Sequence, residues 1–371
     1  MAKAAYIGVD NKARKISKGY IGVDGVACEI KKGYVGVNGV AQLFWNPIQQ
    51  LVYYGVATEL DKAREQLAAT VVGDYALFGG GGADANARDT VDAYNLSLTR
   101  TTPTALSVAR MQLAATTVGN YALFAGGYTG RDSSKVVDAY DISLTRTTPT
   151  ALRINQKDFG ATTVGGYALF GGGYSGGSNV DAYDTSLTRI SAPALSAKIY
   201  GARATTVGNH ALFGGGNAAG SGTTNLVTAY DASLTQTIPE KLSRSRSNPD
   251  ATSVGNYALF GEGWKSGMVQ VVDAYDTSLT RSTATPYSVA RQDVGTTTIG
   301  NYALFGGGSY SSNYYNIVDA YDLSLTRTNP TGLSASRYDL AATTIGNYAL
   351  FGGGMGRDNN HYSTVDVYTL S

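Results

Sequence analysis

The 371-residue sequence predicts an all-β protein: an N-terminal arm of short β-hairpin repeats, followed by a seven-bladed β-propeller that an N-terminal strand closes. Three observations predict this architecture. Seven copies of one unit recur about every 45 residues between residue 51 and the end. The first 44 residues repeat instead with a period of 14. The composition includes 47 glycines and 27 tyrosines, which suits short strands joined by tight turns.

Each copy of the long unit contains four short segments of β type. AATTV is small and β-branched, YALF alternates its faces and runs into Gly-Gly-Gly, VDAY follows, and an Asp-x-Ser turn precedes LTRT. No segment has a helical period over a useful length. Four strands in about 45 residues, repeated seven times, indicate a β-propeller. The second segments begin at Tyr75, Tyr121, Tyr167, His210, Tyr257, Tyr302 and Tyr348.

The arm repeats begin at Tyr6, Tyr20 and Tyr34. Asp24-Gly25 and Asn38-Gly39 lie between alternating apolar residues, which is a strong signal for a tight hairpin. So small a hairpin is marginal alone, so the arm is expected to gain stability from neighbouring hairpins, other subunits or a docking partner. Phe44 and Trp45 are predicted to pin the arm to the propeller.

The end of the sequence predicts how the ring closes. The last residues, VDVYTLS, stop where the earlier copies continue into SLTRT, while the stretch from Val52 aligns with that fourth segment. Val52–Ala57 is therefore predicted to complete the blade that Val365–Ser371 leaves unfinished. The resulting domains are an arm at 1–44, a linker at 45–50 and a propeller at 51–371.

Two resemblances follow from these motifs. YALFGGG followed by VDAYD resembles the kelch repeat over residues 51–371, although SLTRT replaces the tryptophan usual in the last kelch strand. The resemblance implies a kelch-like propeller closed by strand exchange. The tandem YIGVDGVA hairpins resemble segments of bacteriophage and prophage structural proteins, where they precede a variable binding domain.

The sequence offers little from which to build a catalytic centre, so no catalytic residue, metal site or cofactor is predicted and the protein is expected not to be an enzyme. It has two histidines, of which His210 replaces a strand tyrosine, and one cysteine, Cys28, which precludes an internal disulfide. The repeated aspartates are expected to pair with repeated arginines. The aspartates are Asp92, Asp138, Asp181, Asp273, Asp319 and Asp366, and the arginines are Arg100, Arg146, Arg189, Arg281 and Arg327.

The loops that follow the glycine triplets vary between copies and are rich in Tyr, Ser, Gly and Asn, as recognition surfaces are. The connections into each next copy place arginine at one recurrent position. Arginines on a common rim could bind carboxylates or polar sugars, or they could pair with acids such as Asp293 and Asp339. The predicted ligand-binding residues are Arg64, Arg110, Arg246, Arg291, Arg337, Tyr128, Tyr174, Trp264, Tyr310, Tyr314 and His361.

These features favour a non-enzymatic, virion-associated binding protein. Its arm, residues 1–44, would contact other virion proteins or form a homo-oligomer, and its loop face would bind host-surface glycan or protein. Residues 1–40 carry seven Lys/Arg and three Asp/Glu, which leaves the rest at −3 and argues against nucleic acid as a partner. Neither a membrane span nor a signal peptide is visible, so synthesis in the host cytoplasm and release in the virion are expected. Two alternatives remain: a cytoplasmic kelch module for protein–protein interaction, and an enzyme resembling kelch-fold sialic-acid mutarotases.

Overall fold

A computed structural model describes residues 6–9, 12–15, 19–23, 26–30, 33–37, 40–45, 49–174 and 177–371. The chain divides into two compact units, Met1–Leu51 with Ser371, and Val52–Leu370. Strands make up most of the regular structure in the described residues, with one 3₁₀ turn at Arg357–Asn359. No helix in this part of the chain is long and apolar enough to cross a membrane.

Each 14-residue repeat of the first unit contains a two-stranded antiparallel hairpin. The strands are Tyr6–Val9 with Lys12–Lys15, Gly19–Val23 with Val26–Ile30, and Gly33–Val37 with Val40–Trp45. The pairing matches the predicted hairpins, with Val23 opposite Val26 and Val37 opposite Val40. The turn residues Asp24, Gly25, Asn38 and Gly39, the side chains of Phe44 and Trp45, and linker residues 46–48 lie outside the described residues.

Seven four-stranded antiparallel sheets, here numbered 1 to 7 in chain order, account for most of the described residues after Gln50. The first strands are Ala68–Val72, Ala114–Val118, Gly160–Val164, Arg203–Val207, Ala251–Val254, Gly295–Ile299 and Ala341–Ile345. The second strands are Tyr75–Gly79, Tyr121–Ala125, Tyr167–Gly171, His210–Gly214, Tyr257–Phe260, Tyr302–Gly306 and Tyr348–Gly352. The third strands are Val91–Asn95, Val137–Asp141, Val180–Tyr183, Val227–Asp231, Val272–Asp276, Val318–Tyr321 and Val365–Leu370. The fourth strands are Arg100–Thr101, Arg146–Thr147, Arg189–Ala192, Gln236–Thr237, Arg281–Ala284, Arg327–Thr328 and, in sheet 7, Leu51–Val56.

The sheets are arranged in a ring. Each first strand contacts the first strands of the two neighbouring sheets, and Ala68–Val72 contacts both Ala114–Val118 and Ala341–Ile345, so the series returns to its start. This arrangement is a β-propeller-like fold. Threonine hydroxyls join neighbouring first strands, as between Thr70 and Thr117 at 2.8 Å. The recurrent AATTV segment thus supplies small side chains and hydroxyls where the strands converge.

The core lies between consecutive sheets, where the phenylalanine of each YALF string packs on the sheet before it. A Cβ added at Gly79 would lie 2.7 Å from Phe124, so in sheet 1 the first glycine of the triplet allows the close approach of the next sheet. The second, Gly80, has φ +65°, a backbone conformation that favours glycine. The tyrosine of VDAY is buried, and in sheet 1 the Tyr94 hydroxyl donates to the Thr58 carbonyl at 2.7 Å.

Sheet 7 is completed from the other end of the unit. Leu51–Val56 lies beside Val365–Leu370, and the Ala57 amide donates to the Val365 carbonyl at 2.9 Å. The Tyr53 hydroxyl donates to Asp366 Oδ1 at 2.7 Å, and burial together with Asp366 raises the pKa of Tyr53 to about 12. The strand predicted at Val52–Ala57 is therefore present in the predicted sheet, one residue earlier.

Among the described residues, four loops contain short strands that pair with each other, in addition to the large sheets. These are Gly82–Ala83 with Asn86–Ala87, Gly263–Trp264 with Met268–Val269, Ser309–Tyr310 with Asn313–Tyr314, and Asn217–Ala218 between Ile199–Tyr200 and Gly222–Thr223. The loops that vary between repeats are thus held by backbone hydrogen bonds, which suits a preformed surface.

Candidate binding face

One end of the ring carries both the variable loops and the connections that enter each first strand; we call it the loop face. The two sets meet through backbone pairing in every sheet. The paired residues are Glu65 with Gly82, Met111 with Tyr128, Lys157 with Tyr174, Tyr200 with Asn217, Ser247 with Trp264, Gln292 with Ser309, and Tyr338 with Met355. Exposed side chains from two loops of different sequence origin are therefore adjacent all around this end.

The recurrent arginines are not on this surface. Arg64, Arg110, Arg246, Arg291 and Arg337 are each 0% exposed. Each guanidinium forms a buried ion pair with the aspartate of a VDAY-type strand, as in Arg64 Nη2 to Asp92 Oδ2 at 2.7 Å. Burial lowers the pKa of Arg64, and the charge of Asp92 opposes that effect. The prediction of an exposed arginine rim is corrected: these side chains lie inside the sheets, and their partners are not Asp293 or Asp339.

The same aspartate bonds a second arginine and a backbone amide. Asp92 Oδ1 accepts from Arg100 Nη1 at 2.7 Å and from the Asp61 amide at 2.9 Å. The predicted pairing of the repeated aspartates with the second arginine set is present for Arg100, Arg146, Arg281 and Arg327. In sheet 3, Arg189 donates instead to the Ala151 carbonyl. Each complete set of arginine, aspartate and arginine is one network, here called the Arg–Asp–Arg unit, in which the first arginine and the aspartate are buried and the second arginine is partly exposed.

Three sheets depart from this pattern. In sheet 7 there is no second arginine, and the Tyr53 hydroxyl donates to Asp366 in its place. The departures in sheets 3 and 4 are also compensated. In sheet 3, Gln156 replaces the first arginine and Arg153 Nε binds Asp181 Oδ1 at 2.7 Å. In sheet 4, all three charged residues are absent, and Ile199, Thr228 and Gln236 stand at their positions. A buried charge without a partner is costly, so losing the charges together or replacing the partner avoids that cost. The unit therefore stabilises the sheets rather than forming a surface site.

The predicted aromatic residues do lie on the loop face. Tyr174 is 65% exposed, Trp264 43% and Tyr310 37%, whereas Tyr128 and Tyr314 are half-buried. Trp264 and Tyr310 pack with ring centroids 6.4 Å apart. Aromatic rings held in this way present apolar faces and polar edges at a low entropic cost, as recognition surfaces require.

Further contacts link these rings to residues that the sequence did not single out. Tyr314 stacks on Tyr338 with centroids 5.4 Å apart, and Tyr174 meets Tyr200 edge to face at 5.3 Å. The Lys157 ammonium lies 4.1 Å from the Tyr128 ring centroid and 5.6 Å from that of Tyr174. Tyr128, Lys157, Tyr174 and Tyr200 form what we call the aromatic–lysine cluster, on sheets 2 to 4.

His361 is less available than the exposed aromatics. It is half-buried, and its Nε2 lies 3.8 Å from Glu65 Oε1. Burial raises the pKa of Glu65, and the neighbouring His361 has the opposite effect. The pair therefore links the loops of sheets 7 and 1, and His361 contributes to the loop face mainly through this contact.

A cavity of about 540 Å³ lies within the ring of first strands. Alanines and glycines of these strands line its wall. The seven residues that stand two positions after the recurrent arginine position are here called the mouth ring, and all of them except Gly201 line one end of the cavity. All members of the mouth ring have positive φ, and the Gln112 amide donates to the Gln66 carbonyl at 3.0 Å, a bond that recurs between neighbours. The mouth ring comprises Gln66, Gln112, Asp158, Gly201, Asn248, Asp293 and Asp339.

Carboxyl groups dominate the polar lining of this cavity, but their charge is moderated. Asp158 forms an ion pair with Arg203 Nη1 at 3.0 Å. The side-chain amide of Gln66 donates through Nε2 to Asp339 Oδ2 at 3.1 Å. Burial, and then the charge of Asp293, raises the pKa of Asp339. Burial likewise raises the pKa of Asp293 and of Asp250. Protonated carboxyls can donate hydrogen bonds as well as accept them. Within the described residues no group of His, Cys, Asp and Glu is arranged to hold a metal ion.

Between sheets 5 and 6, Glu262 replaces the middle glycine of the triplet. Its buried carboxylate accepts from the Tyr287 and Arg291 amides, both at 3.2 Å. Tyr287 stands at a position where the other repeats have leucine, and its hydroxyl lies 3.4 Å from Asp250 Oδ2. Burial raises the pKa of Glu262 from its ordinary value of 4.5 to about 7.

Glu262 predicts a pH dependence of stability. Because its folded-state pKa lies above the unfolded value, its contribution is fully present below about pH 4.5 and is lost as the pH rises through about 7. Between about pH 5 and pH 8, we expect the free energy of unfolding of Glu262→Gln to fall by about 1–3 kcal/mol less than that of the parent. Urea titrations at both pH values measure this, with the exposed Glu240→Gln as control. Equal pH slopes in Glu262→Gln and the parent would contradict it.

Comparison with known proteins adds evidence on the fold alone. No protein-family model matches the chain, and no curated protein matches it. Among solved structures, the chain is similar to YjhT, with a TM-score of 0.56 and 10% sequence identity over 85% of this chain and 99% of that one. At so low an identity the likeness supports the β-propeller-like fold and carries nothing about a ligand.

Proposed function

We propose that this protein is a seven-bladed, kelch-like propeller that acts as a non-enzymatic binding protein. Its loop face binds a host-surface glycan or another extracellular ligand. Its N-terminal arm anchors it to a bacteriophage or prophage particle, through other virion proteins or through its own oligomer.

The observation that carries the proposal is the division between a recurrent interior and a variable face. The YALF-type strands and the glycine turns recur from sheet to sheet, and sheets 1, 2, 5 and 6 each contain a complete Arg–Asp–Arg unit. Variation and exposed aromatic side chains are concentrated in the loops at one end, as with Tyr174, Trp264 and Tyr310. A rigid scaffold that carries variable, aromatic-rich loops is the usual design of a recognition protein.

Glycan is favoured as the ligand because the exposed rings are accompanied by polar donors and acceptors. Tyrosine and tryptophan offer flat apolar faces for stacking on sugar rings, and the mouth ring adds amides and carboxyls for hydroxyl groups. The enzymatic alternative relied on rim arginines to hold a sugar carboxylate. Those arginines are buried in ion pairs, so this support is gone.

The virion assignment derives from the arm. Three tandem hairpins precede the propeller, and their repeat resembles segments of phage structural proteins. Two-stranded hairpins of this size are marginal alone, which favours attachment to a larger assembly. Electron microscopy of purified particles with antibody against residues 49–371 would test it, and a cytosolic partner with no particle association would favour the intracellular alternative.

The binding function is tested with the full chain on a glycan array and on host cells. Trp264→Ala and Tyr174→Ala are expected to weaken binding by about tenfold or more each, because stacking residues at a binding centre contribute about 1–3 kcal/mol or more. Ile142→Ala is the matched control, since Ile142 is 51% exposed in a turn at the opposite end of the sheets. Absence of any binding, or an equal loss in the control, would contradict a glycan-binding loop face.

A further inference from the structure

The aromatic–lysine cluster differs from the other aromatic contacts of the loop face because a cation is built into it. The Lys157 ammonium lies over the Tyr128 ring, 4.1 Å from its centroid, and also over the more exposed Tyr174 ring, 5.6 Å from its centroid. Tyr174 is fixed by its edge-to-face contact with Tyr200 and by its amide, which donates to the Lys157 carbonyl at 3.1 Å. The ring and the ammonium are therefore held side by side.

The charge of Lys157 has no acidic partner in the part of the chain that the structure describes. Among the described residues no carboxylate lies within ion-pair distance of its ammonium, and the adjacent Asp158 is paired with Arg203 at 3.0 Å. Another lysine, Lys198, is exposed beside Gly177 of the Tyr174 loop and also has no ion-pair partner in the described part of the chain. These two ammonium groups on one side of the loop face favour a negatively charged ligand there.

An ammonium that lies over aromatic rings can still donate hydrogen bonds on its outward side. A sugar ring stacked on the exposed face of Tyr174 would bring its substituents next to that ammonium, 5.6 Å from the ring centroid. A carboxylate or sulfate would gain a charge-assisted hydrogen bond there, whereas a hydroxyl would gain a weaker one. The carboxyls of the mouth ring oppose such a ligand less than their number indicates, because burial raises the pKa of Asp293 and Asp339.

We infer that the aromatic–lysine cluster is the primary subsite of the loop face and that it takes an acidic sugar, with the ring on Tyr174 and the carboxylate or sulfate on Lys157. This inference depends on the proposed glycan-binding function and names the class of sugar. Tyr128 and Tyr200 act as positioning residues that orient the ammonium and the platform ring.

The test is an array of sialylated, uronate-containing and sulfated glycans printed beside their neutral counterparts, probed with the full chain. We expect binding to acidic members, with Lys157→Met weakening that binding by about tenfold or more and reducing the preference for acidic over neutral sugars. Lys62→Met is the charge-matched control, because Lys62 is exposed in the corresponding connection of sheet 1. Raising the salt concentration is expected to weaken binding by the parent more than binding by Lys157→Met.

Three outcomes would overturn the inference. Neutral glycans bound as tightly as acidic ones would exclude the role of the ammonium. Binding that Trp264→Ala abolishes, but Tyr174→Ala and Lys157→Met leave unchanged, would place the subsite elsewhere while the proposed function stands. No binding to any glycan would remove the proposed function itself. Circular dichroism of each variant shows that a loss does not come from unfolding.

Discussion

Replacing Asp92 with threonine is expected to lower the free energy of unfolding by about 3–5 kcal/mol, because it leaves the buried Arg64 guanidinium without its carboxylate. Asp92 is completely buried and also accepts from Arg100 and from the Asp61 amide. Removing one partner of a buried ion pair costs more than removing the pair, since the remaining charge has no water to solvate it. The exposed Asp74→Asn should change stability by no more than about 0.5 kcal/mol.

Sheet 4 supplies the matched rescue for this variant. It has Ile199, Thr228 and Gln236 at the three positions of the Arg–Asp–Arg unit, and its strands pair in the same register as those of the other sheets. We expect the triple variant Arg64→Ile, Asp92→Thr, Arg100→Gln to be more stable than Asp92→Thr alone by at least about 1–2 kcal/mol. Urea denaturation followed by tryptophan fluorescence and circular dichroism measures all four chains.

Two results would contradict the structural role of the unit. If Asp92→Thr loses less than about 1 kcal/mol, the buried pair is not a major source of stability. If the triple variant is less stable than Asp92→Thr, the three residues do not act as one network. A loss of glycan binding in Asp92→Thr without a loss of stability would instead indicate that the arginines contribute to ligand binding.

The repeat predicted the strands well because each strand type is marked by its own short string. YALF, VDAY and AATTV recur at fixed spacing, so every second, third and first strand could be placed from the sequence. The closing strand at Leu51–Val56 was predictable from its position in the repeat. It aligns with the fourth segment, although its residues differ from SLTRT. Strand ends shifted by one residue, which pairing rather than composition decides.

The burial of individual side chains could not be predicted in the same way. Arg64 and its equivalents recur in a loop-like connection, and nothing local indicates that their side chains point inward to Asp92. The sequence indicates this contact only when two repeat positions are compared across the copies. Sheet 4 lacks both the arginine and the aspartate, and has Ile199 and Thr228 at their positions. The mouth ring was missed because Gln66 and Asp339 give no sign of a left-handed backbone, which arises from their packing around the axis. Exposure of Tyr174 and Trp264 was predicted correctly because variable loops rarely bury their rings.

Deleting residues 1–58 is expected to destabilise the remaining chain by at least about 3 kcal/mol, whereas deleting 1–44 should leave its stability nearly unchanged. The longer deletion removes Leu51–Val56, so the backbone of Val365–Leu370 loses its partner on one side. It also removes two hydrogen bonds: the one that the Tyr53 hydroxyl donates to Asp366, and the one that the buried Tyr94 hydroxyl donates to the Thr58 carbonyl. The shorter deletion stays within the first compact unit.

A peptide tests whether the effect is strand pairing rather than shortening of the chain. A synthetic peptide of residues 49–58, added to the chain that lacks 1–58, is expected to raise its midpoint of unfolding in a concentration-dependent manner, because it binds only the folded state. A scrambled peptide of the same composition is the control. Tyr53→Phe in the full chain should cost about 1 kcal/mol, since it keeps the ring and removes the hydroxyl that bonds Asp366. Equal stability of the two deletions, together with no response to the peptide, would mean that the ring does not depend on its N-terminal strand.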